Sequence, residues 1–191
     1  MKIARCQALL SKALSKTTIL SGENTALGRT AESVLVMARA YESDGRTFSE
    51  KGDQVNALAA YWYGFGWLHC GTAFGLLKTA TPPVCPFEGS FESLPSVLQL
   101  QLAEKTARYG QLLDTARISV DPAPEHSTVA RDFAERVLMV TLVYAKNGKM
   151  RVESGAPEDA LACYSYGHGW LDAGVTAGLF RITGERDLFT L

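Results

Sequence analysis

The chain has 191 residues, of which 20 are acidic and 19 basic for a net charge of −1, and 47% of them are apolar. That length can enclose a sizeable hydrophobic core, and the composition excludes a disordered chain or a small disulfide scaffold. The balanced charge supplies no basic field for phosphate backbones, so nucleic acid is not an expected partner. Cys6, Cys70, Cys85 and Cys163 form no CxxC pair, and charges interrupt every apolar run near the N-terminus. A reduced, cytoplasmic protein without a signal peptide is therefore expected.

A first helix carries Ile3, Cys6, Leu10, Ala13 and Leu14 on one stripe, with Lys2, Arg5, Lys12 and Lys16 as a solvated cationic face. Residues 17–29 read as a loop, and a second helix spans about 30–51, with Leu35, Ala38, Tyr41, Gly45 and Phe48 inward and Arg39, Glu42, Asp44 and Arg46 outward. Gly52 suits the left-handed residue that closes a helix, and Asp53 suits the cap of the next one. The third helix follows at once. Residues 55–77 carry no formal charge and are long enough to cross a bilayer, a reading that a repeat in the chain argues against.

Residues 50–77 align without a gap on residues 153–180, and about half of the paired positions are identical. The shift that carries Trp67 onto Trp170 also carries Val34, Leu35 and Tyr41 onto Val137, Leu138 and Tyr144, and Arg5, Leu9 and Leu10 onto Arg108, Leu112 and Leu113. The whole chain is thus a tandem duplication. In copy two the first-helix stripe is Leu102, Tyr109, Leu112, Leu113 and Ala116, a loop spans 119–127, and Gly155 and Pro157 mark the same helix junction. The membrane candidate is matched there by a stretch holding Glu158, Asp159, His168 and Asp172, and an aspartate at mid-bilayer costs about 2.5–3.5 kcal/mol. A buried core helix is expected instead.

Pro82, Pro83, Pro86 and Pro95 interrupt the chain between the copies, with Phe87 and Phe91 placed to dock on a bundle surface. The expected architecture is all-α: a three-helix up-and-down bundle over 1–80, a Pro-rich linker over 81–97 and a second bundle over 98–191, packed as a pseudo-dimer. The third helices keep Ala57, Tyr61, Gly64, Leu68, Gly71 and Gly75 in register with their counterparts, a face of mostly small residues. Gly64, Gly71 and Gly75, with Gly167, Gly174 and Gly178, are expected to be helix-packing positions. A second retained set, Ala59, Tyr63, Gly66 and Trp67, points to another neighbour around the side. Four helical glycines per copy would cost about 4 kcal/mol relative to alanine, which close helix approach must offset.

The pattern GDxxxALAxYxYGxGWLDAG, matched by residues 155–174 except at Ala156 and less completely by 52–71, resembles the archaeal domain-of-unknown-function family 357. The resemblance covers nearly the whole chain as two copies and implies small three-helix bundles. It implies no activity. Copy one departs from the pattern at His69 and Cys70, where copy two has Asp172 and Ala173.

Tyr63, Trp67, His69, Tyr166, His168, Trp170 and Asp172 are the candidate ligand-binding residues. His168 and Asp172 lie one helical turn apart and could share a proton, whereas a metal needs three or four ligands, so no metal is expected. The Tyr/Trp cluster is expected to pack in the core with its hydroxyls and indole N–H groups bonded to neighbours. No dinucleotide fingerprint, P-loop, HExxH or GxSxG motif is present, no histidine follows an arginine at the spacing of helical ribonucleases, and no cofactor is expected. Two readings remain. The favoured one is a non-catalytic helical module presenting an apolar surface to a protein partner; the alternative is a small-molecule or nucleotide-binding or processing protein with a pocket between the bundles. The chain is expected to be a monomer with pseudo-two-fold symmetry or a homodimer.

Overall fold

A computed structural model describes residues 2–22, 24–79 and 94–190. Copy one contains α1 (Lys2–Leu14), β1 (Thr17–Ile19), α2 (Ala26–Glu50), α3 (Gln54–Ala73) and β2 (Leu77–Thr79). Copy two repeats the order with α4 (Gln99–Ile118), β3 (Val120–Pro122), α5 (Val129–Glu153), α6 (Pro157–Thr176) and β4 (Phe180–Ile182). Short 3₁₀ turns at Ser96–Leu98 and Arg186–Leu188 precede α4 and follow β4. The protein is all-α, built from two three-helix bundles. The linker residues Pro82, Pro83, Cys85, Pro86, Phe87 and Phe91 lie outside the described residues.

The helix boundaries follow from their caps. Thr25 and Thr128, equivalent in the two copies, accept hydrogen bonds from the Gly28 and Arg131 amides and open α2 and α5. The second helix of copy one thus begins at Ala26, several residues earlier than its apolar period indicates, because the threonine cap and not the first buried residue sets the start. At the α2–α3 junction Gly52 has φ +79°, and Asp53 accepts from the Asn56 amide; at the α5–α6 junction Gly155 has φ +73° and Pro157 enters the first turn. Both junctions match the sequence reading.

The segments read as plain loops hold a strand. β1 pairs antiparallel with β2 from Thr17 against Thr79 to Ile19 against Leu77, and β3 pairs with β4 from Val120 against Ile182 to Pro122 against Phe180. Three-residue strands leave too short an alternation to read from sequence. Each ribbon fastens the end of the first helix to the end of the third.

Among the described residues, α3 packs on α6 as extensively as it packs on α2. Contacts run from Tyr63 to Asp172, from Gly66 to Gly169 and from His69 to Tyr166, so the two helices are antiparallel. A Cβ on Gly66 would lie 2.5 Å from the Tyr166 carbonyl oxygen and 2.9 Å from the Gly169 Cα, while one on Gly169 would strike the Tyr63 carbonyl oxygen. Backbone meets backbone at the crossing. Because Gly66 and Gly169 are equivalent positions, this is the isologous contact of a pseudo-two-fold axis. The same packing surrounds α3 on every side, with α1 and α2 on one flank and α6 on the other, which accounts for its long uncharged run. Among the described residues no helix is long and apolar enough to cross a membrane.

The retained glycines divide by task. Gly64 and Gly71 face α1, α2 and β2 through Leu10, Ala38, Val34 and Leu77, and Gly167 and Gly174 face Leu113, Thr141, Val137 and Phe180 in the same way. Gly75 and Gly178 are not seam residues: with φ +78° and +74° they terminate α3 and α6, and nothing lies within 4 Å of a Cβ at either position. Their role is left-handed backbone, after which Leu76 and Leu179 amides return to the Gly71 and Gly174 carbonyls. The helical glycines therefore number three per copy, and Gly66 and Gly169, which the small-residue seam omits, make the closest approach.

Candidate functional site

The α3–α6 crossing places two buried polar pairs on either side of its axis. The Tyr63 hydroxyl donates to Asp172 Oδ2 at 2.7 Å, and the Tyr166 hydroxyl meets His69 Nδ1 at 2.9 Å. Each tyrosine also packs on the second-helix tyrosine of its own copy, with ring centroids 4.4 Å apart for both Tyr41–Tyr63 and Tyr144–Tyr166. Repetition brings the tyrosines into equivalent places; sequence divergence makes their partners an acid and a base.

Burial treats those partners oppositely. The His69 imidazole is pushed down to about 4 by desolvation, so it is neutral at neutral pH. The Asp172 carboxyl is fully buried, and desolvation raises it despite opposing contributions from His168, Tyr63 and Thr190. Tyr63 is raised well above its ordinary range by burial and by Asp172, so it stays a protonated donor. Asp172 Oδ2 accepts a second bond, from the Thr190 amide at 3.2 Å, while Oδ1 has no hydrogen-bond partner among the described residues.

His168 and Asp172 do not share a proton. His168 Nε2 lies 3.9 Å from Asp172 Oδ1 but 3.0 Å from the Leu188 carbonyl oxygen, which can only accept, so Nε2 carries its hydrogen toward the backbone. One helical turn brings the two side chains to the same face but not to hydrogen-bond distance. The chain after Arg186–Leu188 thus forms a strap: Leu188 accepts from His168, Thr190 donates to Asp172, and the Thr190 and Tyr41 hydroxyls meet at 3.2 Å.

Beside these groups a half-open cleft of about 300 Å³ lies between the copies. Tyr41, Asp44 and Phe48 of α2 form one wall, Asn56, Ala59, Ala60 and Tyr63 of α3 the floor, and Lys105, Tyr109 and Leu112 of α4 the facing wall, with His168 of α6 at the inner end. Of the seven candidate ligand-binding residues, Tyr63 and His168 line this cleft, and Asp172 stands behind Tyr63. His69 and Tyr166 form the other polar pair and do not line it. Trp67 and Trp170 are core residues, and the indole nitrogens expected to be bonded have no hydrogen-bond partner among the described residues. Their apolar surface, more than the N–H, fits their surroundings; Trp170 stacks near Phe133 with centroids 6.4 Å apart.

Sequence reasoning passed over Tyr41, Asn56, Lys105 and Tyr109 as site residues. Tyr41 and Tyr109 were visible as inward-facing aromatics, but their convergence depends on how α4 lies across α2 and α3. Among the described residues no group of three or more His, Cys, Asp or Glu is placed to hold a metal ion.

A duplicated helical pseudo-dimer with a cleft between its copies is the class that fold and site define. The family model described as protein of unknown function (DUF357) matches residues 5–77 and 108–180, one match per copy, and the chain belongs to that family. No curated protein and no solved structure matches the chain.

Proposed function

We propose that the protein binds a small molecule in the cleft between its two copies. The observation that carries this reading is the convergence of Tyr41, Tyr63, Tyr109 and His168, from four helices and both copies, around one concavity of about 300 Å³. Ligand sites are concave, mostly apolar and furnished with a few placed polar groups, and the size is at the lower end of their range. Tyr63 is held by Asp172 and His168 by Leu188, so these walls are preorganised. Binding without chemistry is the role proposed, by a monomer with internal pseudo-two-fold symmetry. Its setting is a reducing archaeal cytoplasm, in keeping with the free thiol of Cys70 and with the family resemblance.

Native mass spectrometry of the purified protein tests the reading, with an added mass that leaves on denaturation as the expected result. Ala60→Trp, which fills the cleft, should abolish that mass while leaving circular dichroism unchanged; a mass retained by this variant would place the ligand elsewhere.

A second reading, a protein-interaction module, is favoured by one observation. Met139, Val143 and Met150 are exposed on one face of α5, where copy one has Val36, Ala40 and Thr47. Copurification of a stoichiometric partner lost on Val143→Glu would support it.

A further inference from the structure

The proposed cleft ends at Lys105, a cation with no direct ion pair among the described residues, and this bears on what the cleft would hold. Lys105 Nζ hydrogen-bonds Asn56 Oδ1 and lies 4.8 Å from the centroid of the Tyr109 ring, over its face. Arg108, one turn further along α4, lies 5.9 Å from the same ring, and the two cations line a recess that shares Asn56 and Lys105 with the cleft. Neither has an ion pair among the described residues. The nearby Asp53 accepts from the Asn56 backbone and side-chain amides and from Gln101, so Asn56 stands between it and Lys105, while Asp44 and Glu104 are exposed, where water screens their charge. Lys105 is half-buried, and burial together with Arg108 lowers its ammonium pKa against an opposing contribution from Asp53. The basic pair is also retained in the repeat, as Lys2 and Arg5 in copy one.

We propose that the ligand is a planar ring compound bearing one anionic substituent, a carboxylate or a phosphate, with the ring among Tyr41, Tyr63 and Tyr109 and the anion at Lys105 and Arg108. The inference rests on the cleft being the binding site. A ring occupies the aromatic walls by stacking and edge contacts. The anion gives Lys105 a direct ionic partner and offers Arg108 a two-pronged one. A cleft of about 300 Å³ accommodates one or two fused rings.

The test uses the full chain and two probes of the same shape, 2-naphthoate and neutral 2-naphthamide, titrated by calorimetry at pH 7 and low salt. The expected result is about tenfold tighter binding of the naphthoate, which corresponds to about 1.4 kcal/mol. Lys105→Met should reduce that preference, the ratio of the two affinities measured on the same variant, to about one. Arg108→Gln, at an exposed position that should not disturb folding, should reduce it about threefold and weaken its salt dependence. Equal binding of the two probes, both lost in Ala60→Trp, would overturn the anion assignment and leave the cleft as a binding site. Binding of neither probe, or binding that survives Ala60→Trp, would overturn the cleft reading and this inference with it.

Discussion

The two polar pairs across the α3–α6 crossing began as one arrangement and now differ. Tyr63 and Tyr166 remain equivalent in position, in their second-helix tyrosine neighbours and in reaching across the axis. Tyr166 ends on His69, a base kept neutral by burial; Tyr63 ends on Asp172, an acid that also receives Thr190 and leaves one oxygen unbonded. Only the Tyr63 side opens into the cleft. The lesson is that the duplication preserved the packing while releasing the chemistry on one side of the axis from that on the other.

The largest effect should come from breaking the axis itself. Gly66→Leu drives a side chain into the Tyr166 carbonyl and the Gly169 backbone, and urea unfolding should show a loss of about 3 kcal/mol or more. Next is the comparison between partners. Asp172→Leu leaves the Tyr63 hydroxyl and Thr190 amide without their acceptor and should cost about 2–3 kcal/mol, whereas His69→Leu withdraws one bond from Tyr166 and should cost about half as much in the same assay.

The pairs should also respond to acid in opposite directions. His69 has its folded pKa depressed from 6.5 to about 4, so its contribution is complete above pH 6.5 and is lost as pH falls toward 4. About 2 kcal/mol should disappear by pH 5, a loss that His69→Gln removes when stability is measured across this range. Asp172 has its folded pKa raised, so the unfolded chain releases this proton first and the group's contribution diminishes as pH rises from 3.8 through the folded value. Asp172→Asn keeps an acceptor for Tyr63 and should remove that dependence. The smallest effects should be equal in both copies: Gly75→Ala and Gly178→Ala place a side chain in left-handed backbone but touch nothing, at about 1 kcal/mol each. Unequal losses there would show that the copies differ in more than their polar partners.

The fold was largely legible because repetition supplies a second copy for every inference. A charged residue at Asp172 identified the long apolar run as core, and two unlike residues, Asp53 and Pro157, marked a single helix boundary. Three-residue strands were too short to announce themselves. Gly75 read as one more small residue on a helical period because spacing alone does not report where hydrogen bonding stops. The candidate site was legible in part: Tyr63 on α3 and His168 and Asp172 on α6 stand on the strongly patterned third helix of each copy, while Lys105 and Tyr109 belong to α4, whose placement is a matter of tertiary packing. Thr190 carried no sequence signal, being a backbone donor in a short terminal strap.

A helix crossing in which equivalent glycines meet is self-complementary. Residues from both copies belong to one continuous core, with Leu58, Trp67, Leu161 and Trp170 in the same cluster. Neither half can open without stripping the other of a wall, so thermal unfolding is expected as a single transition in place of two. Separated, each half would still carry the surface its counterpart fits: a chain limited to copy two should self-associate through Gly169 and set Tyr166 against Asp172 of its twin, twice, restoring the symmetry that the tandem chain has lost.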